Sequence, residues 1–254
     1  MRNFFFALFF SLCAVNTYAQ SDLFGAEKAP SRKGFVFGVN AGLDLPGADM
    51  AKRFGVSYRI GPSVMYKTQK NWMFGAKCDW IFGNQIKDDS LMWNIKDRDG
   101  AFITNQGDRQ GVGTFERGYA IGLQAGRIFP LSKGTANSGL LVLTGVGFIQ
   151  HKINIFNKDQ VIPQLNKQYR KGYDRLTNGM YVEQFVGFNN FDKKGALNFH
   201  IGFDIMAGFT KGRRDYQFDL MRKDDKSRVD LLFGIRGGWY IPIFRSKSED
   251  IFFE

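Results

Sequence analysis

The chain has two histidines, His151 and His200, and two cysteines, Cys13 and Cys78. Imidazole is the side chain that exchanges a proton near neutral pH, so acid–base chemistry would centre on one of those two positions. No serine stands beside His151 in sequence, and any partner would have to come from elsewhere in the fold. Two separated histidines and one thiol outside the leader do not make a metal-ligand set. No cofactor is expected either. Gly145-Val146-Gly147 has the look of a phosphate loop but lies in an extended stretch with no helix after it, so a dinucleotide reading fails its context. What remains is charge. Arg59, Lys77, Asp79, Glu183, Asp204 and Arg236 interrupt otherwise apolar stretches, with His200 and Gln124 in the same parity. Two basic runs follow: Lys152, Lys158, Lys167, Arg170, Lys171 and Arg175, then Lys211, Arg213, Arg214, Arg222, Lys223, Lys226 and Arg228. Such cations can grip phosphates or an acidic surface.

The elements that must carry these residues have a period of two. In LNFHIGFDIMAGFT (197–210), Leu197, Phe199, Ile201, Phe203, Ile205, Ala207 and Phe209 take one face. Asn198, His200, Gly202, Asp204, Met206, Gly208 and Thr210 take the other. Strict alternation means a strand between two different environments. Seven further segments repeat it, at 34–45, 56–67, 72–83, 117–129, 139–149, 180–191 and 228–243. Pro62 is awkward inside the second, because proline cannot donate to a ladder and marks an edge or bulge. The segment 139–149 is apolar on both faces. The connections alternate: 68–71, 131–138 and 192–196 are short, whereas 84–116, 152–179 and 211–227 are long and polar. Short turns at one end and long loops at the other is the plan of an outer-membrane barrel.

MRNFFFALFFSLCAVNTYAQ has a basic start, an apolar run and a small-residue exit, the layout of a secretory signal peptide cleaved before Gln20. The apolar run is too short for a spanning helix, and no later stretch approaches one. Cys78 alone remains after cleavage, which excludes an internal disulfide framework. The abundance of Gly (30) and Phe (27) beside few Pro (6) suits a small barrel, with Gly in a crowded lumen and aromatics at the interfaces.

FVFGVNAGLDL (35–45) and FGVSYRIGPSVMYKTQKNWMFGAKCDWIF (54–82) resemble the start of the outer-membrane β-barrel domain family described as PorT-like or porin-family proteins. The resemblance implies a small exported barrel without a catalytic motif and, for some members, association with type IX protein secretion. The closing GIRGGWYIPIF (234–244) departs from a pattern that ends on its last strand. The chain continues to IFFE, leaving Trp239–Phe244 and the Phe252-Phe253 end as alternative assembly signals.

The fold expected is therefore all-β: an eight-stranded antiparallel transmembrane β-barrel with short periplasmic turns and long outer loops. The expected divisions are a signal peptide (1–19), a periplasmic segment (20–33), the barrel (34–243) and a tail (244–254). Arg59, Lys77, Asp79, Glu183, His200, Asp204 and Arg236 should form a charge network that plugs the lumen, since isolated buried charges are too costly. Lys167, Arg170, Lys171, Arg175, Arg213 and Arg214 should present a basic outer surface to lipopolysaccharide or to a protein of a secretion or envelope complex. Despite a pI of 9.6, nucleic acid is not an expected partner for an exported chain. The expected role is a non-enzymatic scaffold. Its rivals are a lipid-modifying enzyme using His151, placed at the outer rim, and a small gated pore. The topology has a direct test. A cysteine at Asn105 or Lys171 should react with an impermeant maleimide on intact cells, and one at Lys133 or Lys193 only after permeabilisation; the opposite labelling overturns it.

Overall fold

The computed structural model describes residues 31–131, 136–158, 161–192 and 197–244. The leader 1–19, most of the segment 20–33, the tail beyond Phe244, and Lys133 and Lys193 lie outside them. Eight long strands close into one antiparallel ring: β1 (Gly34–Ala48), β2 (Ser57–Lys67), β3 (Trp72–Gly83), β6 (Gly113–Pro130), β7 (Gly139–Phe156), β8 (Thr177–Asn190), β9 (Phe199–Gly212) and β10 (Ser227–Phe244). A two-stranded hairpin, β4 (Phe102–Ile103) with β5 (Arg109–Gln110), stands in the connection between β3 and β6. The sequence-based expectation of an eight-stranded transmembrane barrel holds, with short turns at one end and the connections 49–56, 84–112, 157–176 and 213–226 at the other.

The pairing fixes the stagger. From Gly34 it passes through Lys67, Met73, Gly126, Leu143, Phe185 and Asp204 to Gly234 on β10, ten positions from Phe244, which faces Gly34 across the seam. Such a stagger tilts the strands by roughly 40° and leaves an interior that side chains fill. Pro62 sits where it costs least. Pairs Ile60↔Trp80 and Ser63↔Lys77 flank a break in the β2–β3 ladder, so the missing N–H leaves no bond unmade there.

Along each strand, burial alternates. Outward residues such as Phe37, Ile121, Leu123, Val146, Ile201 and Ile235 are exposed from the protein, which is the arrangement lipid requires. On β6 the outward face reads Arg117, Tyr119, Ile121, Leu123, Ala125, Arg127. Arginines ten residues apart bracket an apolar stretch. At about 3.3 Å per residue and roughly 40° of tilt that stretch is about 25 Å tall, the height of an apolar bilayer band.

The strands outrun the alternation read from sequence. β6 begins at Gly113 rather than 117, and β7 continues to Phe156 rather than 149. The wall therefore stands above the apolar band at the long-loop end. Phe203 is the most exposed large apolar residue of the band, at 74%. Phe203→Arg should lower the stability of the barrel in lipid vesicles by about 2–4 kcal/mol. Ile103→Arg, in the β4 hairpin, should change it little. Equal urea midpoints for the two variants would overturn the lipid-facing assignment.

Candidate functional site

Inward positions of the ring put charged groups from six strands into one layer. Glu183 on β8 is its centre. Its Oε1 accepts from Lys77 Nζ, from Arg59 Nη1 (3.1 Å) and from Arg236 Nη1 (3.1 Å), while Gln124 Nε2 donates to Oε2 (2.9 Å). Arg59 forks onto Asp44, with Nε to Oδ2 and Nη2 to Oδ1 at 2.7 Å each, and reaches Asp204 Oδ2 at 2.5 Å. Lys77 Nζ also donates to Asp79 Oδ2 (2.6 Å). All of these groups are buried. Gly145, inward beside Gln124, leaves the room: a Cβ there would lie 3.2 Å from Glu183 Oε2.

The structure thus brings Arg59, Lys77, Asp79, Glu183, Asp204 and Arg236 together. It adds Asp44, whose inward parity is readable but which stands just before Pro46-Gly47 and looks like part of a turn. His200 is a different matter. Its ring stacks on Tyr240 (4.6 Å between centroids) and meets Phe185 edge-on, so it packs as an aromatic beside the charge layer rather than as an ion-pair partner within it. Below that layer, towards the short turns, Val36, Met65, Met73, Ile128, Leu141 and Phe191 fill the lumen.

Above the layer the lumen closes again. Tyr181 lies over Gly122 and Gly147, where Cβ atoms would come within 2.2 Å of its hydroxyl and 2.7 Å of its ring, respectively. His151 corrects the sequence reading. It is not at the rim facing headgroups; it points inward at 0% exposure because β7 continues past it and keeps its odd residues inside. Its Nε2 lies 2.9 Å from Asp230 Oδ2, which also accepts from Thr210 Oγ1 (2.5 Å). Arg53, from the connection 49–56, drops into the mouth and reaches Asp230 (3.3 Å) and Thr177 (3.0 Å). Phe54 meets the His151 ring edge-on, sealing it beneath the loop.

The long connections fold over this mouth as a cap. Arg175, 5% exposed, joins three of them. It forks onto Asp219 (2.8 Å to each oxygen), donates to Asp88 Oδ2 (3.0 Å) and adds Gln217 Oε1 (3.4 Å). Phe218 packs against Tyr173 and directly over Gly172, where a Cβ would strike the ring at 2.0 Å. Burial in this packing pushes the Tyr173 phenol above its usual range. Arg214 pairs with Asp174, and that hydrogen bond holds its guanidinium above its ordinary value. Leu91, Met92, Phe102, Ile162 and Leu165 join the apolar cluster beneath.

Of the six basic residues expected on the outer surface, Arg175 and Arg214 are therefore internal fasteners. A long loop that folds must satisfy its own carboxylates, and these arginines do so. Arg170 is partly engaged with the Ile155 carbonyl (2.9 Å). Lys167, Lys171 and Arg213 remain exposed, beside exposed Tyr169 and Tyr216.

The chain matches no protein-family model, and no curated protein matches it. Among solved structures it is similar to Ail, the attachment invasion locus protein of Yersinia pestis, in complex with the heparin analogue sucrose octasulfate. That match has 10% identity and a TM-score of 0.44, covering 82% of this chain and 99% of that one. Neisserial surface protein A matches with 11% identity and a TM-score of 0.42, over 83% and 97%. The outer membrane protein OprG from Pseudomonas aeruginosa matches with 12% identity and a TM-score of 0.34, over 85% and 99%.

The charge layer makes a sharp expectation. Glu183→Gln removes the negative charge shared by three buried cations and should cost about 3–5 kcal/mol. Adding Lys77→Gln should recover part of that loss, because one stranded cation goes with it. Urea unfolding in vesicles, followed by heat-modifiable gel migration, measures both. Additive losses would show that Lys77 and Glu183 are not coupled.

Proposed function

We propose that this protein is a non-catalytic outer-membrane barrel, exported by its 1–19 leader, that displays a rigid folded cap on the outer face of the membrane. The observation that carries the reading is the filling of the lumen. An apolar layer, a charge layer and a loop-sealed mouth follow one another from the short turns outward, so the surfaces left for recognition are outside. The cap offers cations that its own carboxylates do not consume, at Lys167, Lys171 and Arg213, interleaved with Tyr169 and Tyr216. Clustered cations with aromatics suit lipopolysaccharide phosphates or an acidic face of an envelope partner. Assignment of that partner to a type IX secretion apparatus rests on the resemblance of residues 35–45 and 54–82 to PorT-like barrels.

The enzyme alternative needs His151 open to lipid, and its burial beneath Phe54 argues against it. The pore alternative needs a path through the charge layer, which Arg59, Lys77 and Arg236 converging on Glu183 obstruct.

Changing Lys167, Lys171 and Arg213 together to Ser should leave heat-modifiable migration unchanged, because the lumen and the lipid face are untouched. Co-purification of lipopolysaccharide or of the envelope partner should fall. For the unmodified chain it should weaken with salt, as exposed charge contacts do once the screening length drops below about 10 Å. Undiminished co-purification of every partner by the triple variant overturns the role given to these cations. Arg175→Ser is the contrast: it should loosen the cap and expose the connections 84–112 and 213–226 to protease without releasing the barrel from the membrane.

A further inference from the structure

On the outer wall of the barrel, between β3, β6 and β7, lies a groove of about 500 Å³ lined by Trp80, Phe82, Arg117, Tyr119, Gln150 and Lys152. The register sets these residues in two rows. Trp80, Tyr119 and Gln150 face one another across the three strands, and Phe82, Arg117 and Lys152 form the next row towards the long loops. The aromatic row ends the apolar band, and the cationic row sits where lipid headgroups begin.

Arg117 and Lys152 are directly opposed in the β6–β7 ladder. Like charges so placed repel across about 5 Å and weaken a sheet. Arg117 Nη1 donates to the Glu116 carbonyl (2.6 Å) and its guanidinium lies over the Phe115 ring (5.3 Å). Neither cation is joined to a carboxylate among the described residues. Arg127, at the other edge of the band, is held differently, between the rings of Trp72 (5.7 Å) and Phe129 (5.5 Å). Two opposed cations above an aromatic floor, at headgroup depth and facing lipid, complement one kind of occupant: a phosphorylated lipid.

We infer that this groove seats one anionic lipid of the outer leaflet. Its phosphate is held between Arg117 and Lys152, and the start of an acyl chain lies over Trp80 and Tyr119. The inference rests on the barrel spanning a membrane, and it is independent of the cations on the cap.

Native mass spectrometry of the full chain, released from detergent containing added lipid A, counts the lipid retained. The unmodified chain should keep one lipid A molecule, and Arg117→Gln/Lys152→Gln should retain at least tenfold less. Arg127→Gln should match the unmodified chain. Sodium phosphate at a hundredfold excess should not displace the lipid, because the chain contacts are absent from the free ion. Equal retention by the double variant overturns the site. Equal loss in Arg127→Gln also does so, by reducing the effect to general charge, and displacement by free phosphate overturns the lipid assignment. Heat-modifiable insertion into vesicles is scored separately. A chain that inserts but keeps no lipid refutes this site alone, whereas a chain that never inserts refutes the membrane reading beneath it.

Discussion

Three cations share one oxygen of Glu183, and much of the barrel is arranged around that fact. A ring of eight strands encloses a space that must be filled by side chains. Filling it with hydrocarbon would make each strand apolar on both faces, and a slip of one residue would then cost little. Filling it with coupled charges removes that freedom. In a slipped register Arg59, Glu183 or Asp204 would face lipid, where a charge costs kilocalories, while Phe203 or Ile235 would crowd the lumen. Desolvation of so many groups is expensive, and their mutual contacts offset it only when the whole set is present. The layer thus acts less as a source of stability than as a statement of which face of each strand is inside.

The cap depends on the wall beneath it. β6, β7 and β10 are each 18 residues long, more than an apolar band needs, and their upper ends provide the rim on which the loops pack. Arg53 and Phe54 fasten the first connection to Asp230 and His151 inside that rim. Arg175 then binds Asp88 and Asp219, so the remaining connections hold one another. His151 and Asp230, which could be mistaken for a catalytic pair, have the surroundings of a structural one: full burial, a short threonine hydrogen bond and a loop phenylalanine as lid.

Much of the wall was legible in the residues, because parity is a physical signal. A residue two positions from a lipid-facing phenylalanine faces lipid, and its neighbour faces in. That reasoning places Arg59, Lys77, Glu183 and Arg236 inside without any contact being known. It falters where the signal is weak. The stretch 139–149 is apolar on both faces, so alternation gave no anchor for His151, although Ile153 and Ile155 carry the same inward parity beyond it. Contacts made by folded loops left no periodic trace at all. Arg175 and Asp219 are 44 residues apart, and nothing in either neighbourhood distinguishes a fastener from a solvated charge. His200 shows a third limit: parity gave its side of the wall, but not that its nearest partners would be the rings of Tyr240 and Phe185.

These placements explain where the net charge of +11 resides. In the middle of the lumen, Asp44, Asp79, Glu183 and Asp204 face Arg59, Lys77 and Arg236, one more acid than base, so the interior contributes nothing to the positive excess. In the cap, the buried cations are matched with Asp88, Asp174 and Asp219. Part of the excess therefore lies on surfaces that the fold does not neutralise, among them the exposed cap lysines and the paired Arg117 and Lys152 at the upper edge of the apolar band, and part lies at the short-turn end, with Arg32, Lys33, Lys70 and Arg127. The position of the former, at the edge of the apolar band and on the cap above it, is the basis of the two recognition sites proposed for them.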